Sequence, residues 1–363
     1  MDSSLFFGLS SIAYILAMIC YIAYIVFRTP TVGLIATIIT IFGFVSHTLA
    51  FSIRWKEFAD IGGMGFMRAV PLTNLYESLI FFVWCIILGY LIIEWKYKNR
   101  SFGAFITPIA GMIMAFIDIS GISKDIHPLI PALQSNWLLA HVTMSFLAYA
   151  GFAISFATAI MYLALSADEK QRTSWPYLFW TISFGLFSSI LIAMALDFIS
   201  FKIVGRGAES FIKNYLFKAS FRNSSGAVVA LSYAALAAFV FMVWRFGYVV
   251  KRAISAFSLD ADTLDELTYK CIAIGFPVFT LGGLIFGAIW ADQAWGRYWS
   301  WDPKETWSLI TWFVYAFFLH ARHMRGWRGD KIAAVAVIGF VSTIFTYLGV
   351  NLLLSGLHSY GGL

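Results

Sequence analysis

The chain has 363 residues, 60% of them hydrophobic, 18% aromatic and 12% charged, and its mean hydropathy is +0.80. Those values exclude a water-soluble globular domain. The formal net charge of +6 is spread over separate loops, which gives no ground for a nucleic-acid partner.

Apolar runs long enough for a helix to cross the hydrocarbon layer, about 20 residues, recur along the whole sequence. Only helices satisfy the backbone internally over such uninterrupted runs. The expected fold is all-α, a single polytopic membrane domain over 1–363 with about ten spans, near 5–27, 33–53, 75–94, 102–118, 137–166, 175–200, 226–249, 269–290, 305–320 and 332–353. The fourth is short and holds Pro108 and Gly111, which makes it a candidate for a kinked or re-entrant segment. Asp2 stands where a cleavable signal would be basic, so the N-terminus is expected to stay in place. Cys20, Cys85 and Cys271 lie in apolar segments without CxxC spacing and read as packing residues.

Lysine and arginine counts set the expected orientation. An even number of spans puts both termini on one side, and the basic connections at Lys96, Lys98 and Arg100, at Lys170 and Arg172, at Lys251 and Arg252, and at Arg322, Arg325, Arg328 and Lys331 on the other. The positive-inside rule makes that second side cytoplasmic. The basic loop 202–225 argues against this orientation.

Residues 295–312, WGRYWSWDPKETWSLITW, place five tryptophans in 18 residues beside Arg297, Asp302, Lys304 and Glu305. Asp302, Pro303 and Glu305 fit a capping box that opens the ninth span. Asn74 and Glu77 repeat the pattern before the third. Capping leaves the tryptophans unexplained. One account is an aromatic belt at the membrane interface. The other is a stacking platform for a large planar ligand, whose anionic edge would meet the helix N-terminus, Arg297 and Lys304.

Six histidines complete the pattern. His141, about one turn inside the fifth span, and His358, just past the last, reach the level of the tryptophan stretch. Two neutral imidazoles facing each other across a flat ligand describe axial haem ligation. His47 and His320 lie inside spans, where an ionisable residue is a functional candidate by default. At 1.5 Å per residue their depths differ by about 10 Å. His323, among arginines, reads as solvated, and His127 as a loop residue.

The run from about 267 to 363, with GFPVFTLGGLIFGAIWADQAWGRYWSWDPKETWSLITW, FLHARHMRGWRG and YLGVNLLLSGLHSYG, resembles the CcsA (ResC) family of System II cytochrome c maturation. This haem-handling family carries a tryptophan-rich WWD segment, here about 290–312, and is related to the CcmC and CcmF proteins. PLTNLYESLIFFVW at 71–84 and LQSNWLLAHVTMSFLAYAG at 133–151 are similar to family segments as well. The resemblance covers somewhat under half of the chain closely; residues 175–250 carry an apparent extra pair of spans and a basic loop without a counterpart.

The resemblance implies a role for each matched position. Trp295, Arg297, Trp299, Trp301, Asp302, Lys304 and Trp307 would bind haem b as a transient substrate. His141 and His358 would ligate the iron on the extracytoplasmic side, and together with Asp302 would serve the attachment chemistry. His47 and His320 would receive haem within the membrane. The expected activity is that of a cytochrome c synthase, or haem lyase, component acting with a CcsB (ResB)-like membrane subunit on an apocytochrome c bearing CxxCH. The setting would be a bacterial plasma membrane or a thylakoid, with the tryptophan loop and both termini extracytoplasmic. Two alternatives stay open: a resident-haem electron-transfer subunit, and a transporter of another amphipathic anion.

Overall fold

The computed structural model describes residues 3–62, 70–72, 74–119, 122, 124–126, 135–204, 226–257 and 259–354. Among these, every long element is a helix. The helices are α1 Ser3–Phe27, α2 Pro30–Gly62, α3 Leu75–Tyr97, α4 Gly103–Ile119, α5 Asn136–Ser166, α6 Trp175–Val204, α7 Gly226–Phe246, α8 Tyr248–Ser255, α9 Ala261–Phe279, α10 Gly287–Trp295, α11 Pro303–Met324, α12 Asp330–Ile344 and α13 Val350–Leu353. Two π-helical segments are inserted: Thr280–Phe286 joins α9 to α10, and Phe345–Gly349 joins α12 to α13.

Eight helical stretches are long and apolar enough to span a bilayer, and the pair α7–α8, bent by 52°, makes up to nine. The remaining expected span is α11. It forms a 22-residue helix, but Lys304, Glu305 and the basic residues at its far end dilute its apolar content. The chain is thus an all-α polytopic membrane protein. The fourth expected span, α4, is one continuous helix with Pro108 inside it, not a re-entrant segment.

α5 is the mast of the bundle. It packs against α3, α4, α6, α9 and α12, and 83% of its apolar stretch is buried, against 33% for α2. The contact with α9 and the π segment after it positions the site. A membrane offers helices little hydrophobic reason to associate, so close backbone approach at small residues takes over. At Gly275 of α9 an added Cβ would stand 3.3 Å from the Ala148 carbonyl of α5 and 2.9 Å from the Phe152 ring. The two helices run antiparallel. Seven residues from that contact along each of them lie His141 on α5 and Gly282 on the π segment, and these two are hydrogen-bonded.

The α3, α5 and α11 starts and the α10 and α13 ends share one end of the bundle. Ser135 caps α5 and donates to Gln293 of α10 at 2.6 Å, and Lys304 of α11 donates to Asn351 of α13 at 3.0 Å. The opposite end is basic and laced with polar contacts. Arg322 of α11 pairs with Asp265 of α9 at 2.6 Å, Ser166 donates to Asp330, and Lys251 donates to the Ala167 carbonyl. α6 and α7, the extra pair expected over 175–250, pack on each other, with α6 against α4 and α5.

Candidate functional site

A cavity of about 160 Å³ opens at the tryptophan end, between α3, α5, the π segment with α10, the start of α11, and the α12–α13 junction. α5 contributes Leu138, His141, Val142, Ser145, Phe146 and Tyr149. The π segment and α10 contribute Gly283, Leu284, Gly287, Ala288, Trp290 and Ala291. Tyr298, Trp299, Lys304, Glu305 and Ser308 come from the tryptophan loop and α11. Asn74, Leu75 and Ser78 of α3, with Tyr347 and Asn351, close the far side.

His141 has the most defined geometry of these residues. Its Nδ1 lies 2.8 Å from the Gly282 carbonyl oxygen. A carbonyl only accepts, so Nδ1 carries the proton; in the neutral ring this leaves the lone pair on Nε2, the form a metal ligand needs. The ring lies parallel to the Trp290 indole, within 5°, at a centroid separation of 6.3 Å. Gly287 makes this possible: an added Cβ would come within 2.9 Å of both Cε1 and Nδ1 of His141. Trp290 is itself buried and meets Trp295 edge to face at 5.6 Å.

The tryptophan loop is shaped by the start of α11. The expected capping box is present in both directions. The Asp302 carboxylate accepts from the Lys304 amide at 3.0 Å, and Glu305 accepts from the amides of Ser300 at 2.7 Å and Asp302 at 3.3 Å, and from the Ser300 hydroxyl. Trp301 adopts a left-handed backbone, φ +59°, and 69% of its surface is exposed. Trp299 lines the cavity, meets Trp301 edge to face, and has a buried indole Nε1 with no hydrogen-bond partner. Arg297 is exposed on the loop. Trp307 packs on Phe345 with centroids 4.1 Å apart and is not among the lining residues.

The membrane histidines sit elsewhere. His47 of α2 is fully buried. Its Nδ1 shares a hydrogen bond with the Tyr14 hydroxyl at 3.2 Å, the Phe7 ring meets it edge on at 5.7 Å, and its Nε2 has no partner. His320 of α11 is exposed. α2 packs on α1 and α3, whereas α11 packs on α9 and α12, so the two histidines belong to separate helix groups. His323 is exposed and shares a hydrogen bond with Tyr269 at 3.1 Å. His358 and His127 lie outside the described residues. Among the described residues no three His, Cys, Asp or Glu side chains gather as a metal site.

Several contributors carry no sequence signal of their own. Gly282, Gly287, Ser78, Tyr347 and Asn351 are ordinary residues of apolar helices, and only tertiary packing brings them together. Asn74 caps α3 as expected, accepting from the Glu77 amide at 2.8 Å. Glu77 has a further function: its carboxylate forms a buried ion pair with Arg54 of α2 at 3.2 Å. The helix-start pattern of Asn74 and Glu77 does not reveal that pairing, because its other half lies on a helix 23 residues away.

The arrangement offers an imidazole anchored through Nδ1, an aromatic wall, a cation and a helix start at one end of a membrane bundle. Comparison with known proteins agrees with the resemblance of the motifs. The family model described as Cytochrome C assembly protein matches residues 72–218 and 223–358. The cytochrome c biogenesis protein CcsA of Gloeobacter violaceus is 37% identical over 93% of this chain and 89% of its own length. That of Pyropia yezoensis is 34% identical over 96% and 94%, and that of Microcystis aeruginosa 38% identical over 80% and 79%.

Proposed function

The chain belongs to the cytochrome c assembly protein family, as a multi-pass membrane protein of cytochrome c biogenesis, and from that premise we propose that it holds haem at the tryptophan-end cavity and presents it for covalent attachment. The observation that carries this reading is His141: an imidazole held in the Nε2-ligand form, inside a cavity walled by Trp290 and Trp299, beside the WWD segment. His358, from the segment that follows α13, is the proposed second ligand. Haem is substrate here and leaves with the product.

The dimensions set how a porphyrin would sit. A cavity of about 150 Å³ holds one benzene ring, so a space of 160 Å³ takes in one edge of a porphyrin and leaves the rest projecting. A projecting edge suits the reaction, because a peptide must reach the ring. Haem supplies two vinyl groups, and each thioether forms when a CxxCH thiol adds across one of them, sulfur to one carbon and the thiol proton to the other. Positioning accounts for most of the rate. His141 fixes the iron in the plane set by its ring, the indoles exclude water, and Lys304 with the α11 start offers positive potential to carboxylates of the ligand. The described residues place no cysteine at this end, in keeping with thiols that come from an apocytochrome.

Attachment itself is assigned to a complex with a CcsB-like membrane subunit. The basic end of the bundle supports a cytoplasmic position for that end under the positive-inside rule, and with it an extracytoplasmic cavity, against the contrary charge of the 202–225 loop. His47 and His320 are proposed to act on haem within the membrane.

The test is the absorption spectrum of purified protein, oxidised and reduced, with and without the partner subunit. A Soret band with a six-coordinate low-spin reduced spectrum is expected, and it is lost in His141→Ala. Haem retained unchanged in that variant overturns the assignment. Haem that stays bound and cycles redox state without transfer to co-expressed apocytochrome favours the electron-transfer alternative; protein with no haem absorption favours a transporter of another anion.

A further inference from the structure

We infer that the Gly282 backbone carbonyl is a positioning group for haem ligation: it fixes His141 as the Nδ1–H tautomer and so aims the Nε2 lone pair at the iron. The inference rests on the reading that His141 ligates haem, and it adds what holds that ligand.

Four observations converge. The Nδ1 to Gly282 oxygen distance is 2.8 Å, a well-formed bond whose donor can only be the ring. Gly282 is buried within the π-helical segment Thr280–Phe286. Insertions of this kind displace the backbone from regular helical register and recur at functional sites. Gly287, just past the segment, leaves the space that the ring fills, since an added Cβ would stand 2.9 Å from the same Nδ1. The α5–α9 contact at Ala148 and Gly275 sets the register that brings donor and acceptor together. In water a histidine side chain favours the proton on Nε2, the nitrogen that ligation requires bare. The Gly282 carbonyl reverses that preference before any iron arrives, and a hydrogen bond to the far nitrogen raises the basicity of the ligating one.

A backbone acceptor cannot be deleted by substitution, so the ligand is changed instead. His141→Gly opens a hole for exogenous imidazoles, read by the absorption spectrum of bound haem. Imidazole and 4-methylimidazole each keep an N–H opposite the iron-binding nitrogen and are expected to restore the six-coordinate spectrum at similar concentrations. 1-Methylimidazole ligates iron but has no such N–H, and is expected to need about three- to tenfold more, the size of one net hydrogen bond. 4-Methylimidazole controls for the added bulk. Equal half-saturation by all three overturns the inference and leaves His141 ligation standing. Failure of every imidazole to restore the spectrum, or haem retained without any, overturns the underlying reading instead. An independent readout uses the unsubstituted, haem-free protein labelled with ¹⁵N-histidine, in which His141 is expected as the Nδ1–H tautomer; an Nε2–H signal overturns the inference without reference to haem.

Discussion

His141 and His47 occupy the same bundle in opposite surroundings. Around His141 there is space: a cavity on one side, an indole parallel to the ring, and a backbone carbonyl that orients one nitrogen. Around His47 packing is complete. Its ring is fully buried between Phe7 and Tyr14, and its Nε2 is buried without a partner. The first arrangement leaves room beside the imidazole for the proposed ligand. The second pays for an unsatisfied polar atom in the interior, of the order of 1–3 kcal/mol, and would have to open to accept a ligand.

The same helix, α2, also carries Arg54 of the buried Arg54–Glu77 pair, and the largest expected effect lies there. Arg54 is 4% exposed and Glu77 2%, so Arg54→Ala removes the cation against which that carboxylate is buried. A loss of about 3–5 kcal/mol is expected, read as a lower thermal midpoint in detergent. A midpoint within a degree of the parent would show that α2 is loosely held, and the contrast with the cavity would fail. Trp299→Ala tests the other region. Haem affinity is expected to fall by about 1–3 kcal/mol through lost apolar contact and stacking, with the thermal midpoint nearly unchanged; unaltered affinity would return the tryptophans to an interfacial belt.

A double variant, Tyr14→Phe with His47→Leu, removes both hydrogen-bonding partners and the orphaned nitrogen together. Stability equal to the parent or higher by about 1 kcal/mol is expected, while haem content reports separately on any role of His47 in transfer. A clear loss of stability would mean that the polar pair is structurally favourable as it stands. Lys304→Met tests the cation at the cavity. Loss of its bond to Asn351 at 3.0 Å is expected to cost about 0.5–1.5 kcal/mol of stability. A larger drop in haem affinity than in stability would sharpen the assignment of Lys304 to the ligand.

Helices and their starts were legible because their causes are local. The apolar runs mark the spans, and the Asp302 and Asn74 caps follow from residues within one turn of each helix. The span at α4 was legible as an apolar run, but Pro108 left its continuity open, and the structure shows one helix packed against α1 and α3. At the site, His141 and the tryptophan loop stood out by residue type. The Gly282 carbonyl did not, because a backbone group has no letter in the sequence, and a π insertion within TLGGLIF looks like any apolar helix. The division between His47 and His320 was hidden for another reason: depth along a span can be counted from sequence, whereas the helix group to which each belongs depends on which helices touch.

The backbone at Trp301 carries one more consequence. A tryptophan at φ +59° adopts a conformation that side chains with a Cβ resist, at about 1–3 kcal/mol, and the Glu305 and Asp302 bonds on either side hold it there. The loop therefore keeps one shape through its own bonds, and under the proposed function a haem edge seated against it would lose little affinity to ordering that rim.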